Sequence, residues 1–215
     1  MKQPSILFRS GAVLWAAFAV CAPAALIPSP AVAQAQAGDL DRAVAALRSI
    51  STMQASFVQT DRNGQRATGT ITLKRPGRIR FQYSPGIPML IVSDGSALTL
   101  IDYQVRQVQR WPIKNSPLGA LLDPTRDVKK YGTLIGGDPN QVTVQVRDRS
   151  HPEFGVMTFR FNRKAGAPGG LELAGWTALD SQNKQTSVAL SNQRYGIAVS
   201  DTMFKYNDPR RPARR

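Results

Sequence analysis

The sequence predicts a mainly β, antiparallel fold with a few short helices. Three observations carry this. Between Gln54 and Gln193, apolar residues recur with period two in many short runs. Tight-turn signals such as Asn63-Gly64, Pro76-Gly77 and Ser93-Asp94-Gly95 separate these runs, and two strands joined by so short a link must be antiparallel. Helical spacing is confined to residues 39–52 and 116–131.

The chain begins with an address. Lys2 and Arg9 form a positive n-region, residues 11–27 are almost wholly apolar, and Ala31-Val32-Ala33 and Ala35-Gln36-Ala37 offer small-residue cleavage patterns. Residues 1–37 therefore read as a secretory signal peptide, cut near 33–37. Pro23, Pro28 and Pro30 interrupt the segment before it reaches the ~20 residues of a spanning helix. The single cysteine, Cys21, leaves with the signal, so the mature protein is expected to fold on its core without disulfides. One domain, 38–208, and a basic tail, 209–215, complete the organisation.

Residues 39–52 read as an amphipathic helix, with Asp39 as cap and Leu40, Val44, Leu47 and Ile50 on one face. Then come Ala55 and Phe57 on one side of a strand, and a second strand with Thr68, Thr70 and Thr72 opposite Gly69, Ile71 and Leu73. After the turn at Lys74-Arg75-Pro76-Gly77, the next strand alternates strictly. Arg78, Arg80 and Gln82 take the wet face; Ile79, Phe81 and Tyr83 take the apolar one. Residues 89–92, 97–101 and 105–111 are apolar on both sides, as in the covered centre of a sheet. Ser116-Pro117 starts a short helix with Leu118, Leu121 and Leu122 on its apolar side, and Asp123-Pro124 ends it. Strands resume at 141–147, 156–162, 171–179 and 185–193, with a last short one at 204–206. About ten or eleven strands and two or three helices result. An apolar sheet face must be covered, and it can close into a barrel, pair as a sandwich, or curl around something.

Catalysis finds few materials. The one histidine, His151, lies in a His-Pro-Glu turn and reads as a solvated loop residue. No G-x-S-x-G, H-E-x-x-H or phosphate-cradling glycine loop is present. The spacing of Asp123 and Asp127 suits capping better than acid–base work. No cofactor or metal is expected, and the protein does not read as an enzyme. The net charge is +14, but the basic residues are spread over strands and turns with no basic helix. A soluble surface, or attraction to anionic lipid headgroups, accounts for them without nucleic acid. What remains is apolar binding. Ile79, Phe81, Tyr83, Met89, Ile91, Leu98, Leu100, Trp111, Leu118, Leu121 and Leu122 are candidates to line a pocket, and equally candidates for an ordinary core.

Several stretches resemble the LolA family of periplasmic outer-membrane lipoprotein carriers. They are Met53-Gln54-Ala55-Ser56-Phe57-Val58-Gln59, the Lys74–Gly77 turn with its alternating strand, and Leu90-Ile91-Val92-Ser93-Asp94-Gly95 followed by Ile101-Asp102-Tyr103. The Ser-Pro-Leu-x-x-Leu-Leu pattern at 116–122 and a terminal Phe204-x-Tyr206 follow in order. The resemblance implies an unclosed (half) antiparallel β-barrel with a helical lid over an apolar cavity. It implies a monomeric carrier that takes acylated lipoproteins from an inner-membrane ABC transporter of the lipoprotein-releasing type. Delivery would be to an outer-membrane receptor, or to the outer membrane itself. Arg75 would bond lid backbone groups and hold the empty form closed. Ile79 departs from the pattern, where an aromatic residue is common. The alternative is a glycolipid- or hopanoid-binding or envelope-sensing module of the same fold.

Overall fold

In the computed structural model, residues 30–113, 118–122 and 127–210 are described. The signal region before Pro30, Ser116-Pro117, Asp123-Pro124 and residues 211–215 lie outside them. Helix α1 (Pro30–Ser49) leads into six strands: β1 (Thr52–Asp61), β2 (Arg66–Lys74), β3 (Arg78–Tyr83), β4 (Met89–Asp94), β5 (Ala97–Asp102) and β6 (Gln107–Pro112). Two one-turn helices follow, α2 (Gly119–Leu122) and α3 (Val128–Tyr131). Five more strands complete the chain: β7 (Gly132–Gly137), β8 (Gln141–Arg147), β9 (Val156–Arg163), β10 (Leu171–Leu179) and β11 (Gln185–Tyr195).

All strands form one eleven-stranded sheet in the order β6-β5-β4-β3-β2-β1-β11-β10-β9-β8-β7. Every pairing is antiparallel. Two meanders, β1 to β6 and β7 to β11, are thus joined where β1 pairs β11. The free edges β6 and β7 do not pair, so the barrel is unclosed. The chain between them carries α2 and α3 from one edge to the other.

The sheet curls because its two faces differ. In β2 and β3 the pairs Ile71–Phe81 and Leu73–Ile79 face inward, and the inward row continues to Ile91 and Leu100. At one inward position, Gly69, a Cβ would stand 2.1 Å from the Gln82 carbonyl oxygen and 2.8 Å from the Phe57 ring. Its absence lets the Phe57 ring meet Tyr83 edge-on at 5.3 Å. On the inner side α1 lays Ala43, Val44 and Leu47 against the sheet, Ile50 follows just past its end, and α2 adds Ala120, Leu121 and Leu122, forming one continuous apolar cluster.

Three expectations are corrected. Asp39 is no N-cap, because α1 starts nine residues earlier, at Pro30. Its carboxylate instead accepts two hydrogen bonds from Arg163 of β9, at 2.9 and 2.5 Å. Residues 204–206 form no strand; Asp201–Phe204 is a 3-10 turn, and β7, hidden among glycines, supplies the eleventh strand. The wet face of β3 is not bare. The chain beyond β11 crosses it, packing Val199 and Phe204 on Leu90, Val92 and Ile101 as a second small core. That explains why β4 and β5 are apolar on both sides. His151 is an exposed loop residue, as expected; its ring stacks on Phe154 at 4.8 Å, and Nδ1 lies 3.1 Å from the buried Asp148 carboxylate.

Candidate functional site

The turn joining β2 to β3 reaches two helices at once. Arg75 Nε donates to the Ile50 carbonyl at 2.9 Å, and one terminal nitrogen, Nη2, donates to Leu47 at 2.7 Å and to Leu121 at 3.0 Å. The backbone joins in: Arg75 N–H donates to Ser51 (2.8 Å) and Gly77 N–H to Leu122 (3.2 Å). These acceptors sit at or just past the C-terminal ends of α1 and α2, where carbonyls lack partners within the helix. At the end of the long α1 the helix dipole also favours a cation. Burial lowers the Arg75 pKa from its high ordinary value, with the Arg48 charge adding to the effect, and the group stays charged at any physiological pH.

The turn is itself held. Gly77 has a φ of 69°, and a Cβ there would meet the Gly95 carbonyl at 2.7 Å, so glycine alone fits. Ser93 Oγ donates to the Gly77 carbonyl at 2.6 Å. The β4–β5 turn therefore buttresses the β2–β3 turn, which aims Arg75.

Below the helices lies the concave face. Ile79, Phe81, Tyr83, Leu98, Leu121 and Leu122 are buried in the main apolar cluster, and Met89, Ile91 and Leu118 pack against it half-buried. Leu100 is half-buried and pairs with Ile91. Trp111 pairs with Leu98, which puts it on the same face, but on edge strand β6 it remains 42% exposed. The register thus brings the strand residues to one surface, and α2 brings Leu121 and Leu122 down onto it. Phe57 and Trp176, absent from the sequence expectation, complete an aromatic floor: Phe57–Phe81 at 5.3 Å and Phe81–Trp176 at 6.2 Å, both edge-to-face. Period two marked Phe57 as inward; nothing local marked Trp176, which arrives through β10. Burial pushes the Tyr83 hydroxyl up to about 12, against the hydrogen bond it donates to Gln59. The floor is therefore neutral as well as apolar.

A second set of contacts fixes the far part of α1. Besides the Asp39–Arg163 pair, Asp41 meets Lys129 of α3 at 2.6 Å. The Asp39 carboxyl is held below its ordinary value, chiefly by its hydrogen bonds from Arg163. The two helices are thus tied by hydrogen bonds and ion pairs across an apolar surface.

The family model described as outer membrane lipoprotein carrier protein LolA matches residues 48–207. An outer-membrane lipoprotein carrier protein of Dechloromonas aromatica is 30% identical over 81% of this chain and 86% of its own. One from Neisseria meningitidis serogroup B is 28% identical over 84% and 88%. A crystal structure of a LolA superfamily protein from Nitrosomonas europaea overlays at a TM-score of 0.43 with 10% identity, covering 80% of this chain and 97% of that one. With its family match running from the end of α1 to the segment beyond β11, the chain belongs to the LolA family of outer membrane lipoprotein carriers.

Proposed function

We propose that this protein is a periplasmic carrier for lipoproteins. Residues 1–37 direct export, and 38–208 form the carrier. Acyl chains lie on the concave face lined by Ile79, Phe81, Tyr83, Met89, Ile91, Leu98, Leu100 and Trp111, under Leu118, Leu121 and Leu122. An inner-membrane ABC transporter of the lipoprotein-releasing type loads it. An outer-membrane receptor, or the outer membrane itself, unloads it. Binding and release are the whole of its chemistry.

The observation that supports this reading is Arg75, which ties the ends of both covering helices to the barrel over a continuous apolar surface. Each buried methylene of an acyl chain contributes ~0.8 kcal/mol. Several chains fully buried would never leave. A carrier must offset part of that gain, and a lid whose bonds break on loading does so. Arg75 is then the latch of the empty state.

The test is the cargo. The protein is purified from the periplasm of cells expressing it, and both its bound proteins and its extracted lipids are analysed by mass spectrometry. Co-purified acylated protein is the expected result. A free glycolipid or hopanoid without acylated protein would overturn the reading in favour of a lipid carrier.

A further inference from the structure

The segment after β11 runs along the outside of β3 from the Arg75 end of the barrel to the opposite end. Lys74 Nζ donates to the Val199 carbonyl at 2.8 Å, and Asp201 takes ion pairs from Lys74 and Arg78. Arg80 donates to the Met203 and Lys205 carbonyls, at 2.9 and 3.1 Å. There the segment meets the β5–β6 hairpin. Tyr206 packs there with Phe204 against Ile101 of β5 and Val108 of β6. The Tyr103 N–H donates to the Pro88 carbonyl at 2.8 Å, and Asp102 accepts from the Gln104 and Val105 amides, which fixes the hairpin tip.

This corner is unusual in its surface. Among the described residues, five large hydrophobic side chains are exposed, and three of them belong here: Val105 (64%), Tyr103 (37%) and Met203 (37%). Exposed Arg106 stands beside Val105 with a φ of 53°, and exposed Lys205 lies two residues past Met203. Arg80 spends its bonds on the Met203 and Lys205 carbonyls and the Gln82 side chain. Exposed apolar side chains with Arg106 and Lys205 next to them in sequence match an anionic bilayer, whose interface accepts a few apolar side chains while its headgroups attract the basic ones. Among the described residues no helix is long and apolar enough to cross a membrane, so such contact would be peripheral.

We propose that this corner, Tyr103, Val105 and Met203 with Arg106 and Lys205, is a docking surface for an anionic membrane, separate from the concave face and independent of its cargo. It would set the carrier down on a bilayer by a reversible, charge-dependent touch.

The experiment is vesicle flotation of the purified full mature chain, without cargo. The vesicles are phosphatidylethanolamine with phosphatidylglycerol, or phosphatidylcholine alone. Wild type is expected to float with the anionic vesicles and to remain behind with the neutral ones. Raising salt to 0.5 M, where charge is screened over a few ångströms, is expected to release it. Val105→Asp with Arg106→Glu places acids at an exposed tip, and is expected to weaken binding at least about tenfold with an unchanged melting temperature. Equal binding to both vesicle types, or full binding by the doubly substituted variant, overturns the proposal. Flotation of wild type only when a membrane protein is reconstituted overturns it as well, and assigns the corner to a protein partner. None of these outcomes depends on whether the cargo is a lipoprotein.

Discussion

Replacing Arg75 by leucine tests the link between the helix ends and release. Leucine keeps apolar bulk in the half-buried position and removes the guanidinium. Two of its three bonds hold the end of α1; the third, to Leu121 at 3.0 Å, holds α2. A hydrogen bond involving a charged group contributes about 1.5–3 kcal/mol. Losing the α2 bond alone therefore shifts the closed-to-open balance of that helix by roughly 10- to 150-fold. Only the Gly77 N–H bond to Leu122 then remains of the two that this turn makes to α2. Because opening the lid is subtracted from the energy of acyl burial, the variant should retain cargo more tightly, by up to the same factor. The assay loads wild type and variant with a fluorescent triacylated peptide and follows transfer to outer-membrane vesicles. Uptake equal to wild type, with transfer slowed roughly tenfold or more, is expected. Arg75→Lys should fall between, since an ammonium cannot span two helix ends as the planar guanidinium does. Transfer at the wild-type rate by Arg75→Leu would refute the reasoning.

Three further substitutions probe the frame around this latch. A lowered carboxyl pKa in the fold stabilises above the unfolded value and stops doing so as pH falls through the folded one, so Asp39→Asn should cost about 0.5–1 kcal/mol at pH 7 and progressively less in acid; urea melts across that range check it. Gly69→Ala drives a methyl into the Gln82 carbonyl and should cost about 1–3 kcal/mol or more, read as a fall in melting temperature. Phe204→Ala empties the second core and should cost about 3–5 kcal/mol, with faster amide exchange in β4 and β5.

Much of this fold was legible because period two is written plainly in β1 to β5 and β8 to β11. Register then placed Ile79, Phe81 and Tyr83 on one face without further information. Strand β7 was not legible: Gly-Thr-Leu-Ile-Gly-Gly has too few side chains to show alternation, and its pairing with β8 decides its conformation. The crossing segment beyond β11 was missed for a different reason. Val199 and Phe204 are spaced for neither helix nor strand, and only the otherwise unexplained outward residues Leu90, Val92 and Ile101 called for a cover. The start of α1 was misplaced because Asp39 suits a cap chemically, while its actual partner, Arg163, lies 124 residues away. Arg75 could be singled out from its turn, but its reach to two helix ends depends on where those helices finish.

The unclosed seam has one more consequence. A single stretch of chain, from β6 through α2 and α3 to β7, spans the gap between the free edges. Parting β6 from β7 is opposed by no ladder between them, so the cost of opening falls on the apolar cluster and on the bonds to α2. None of the ten strand pairings has to break for the seam to open.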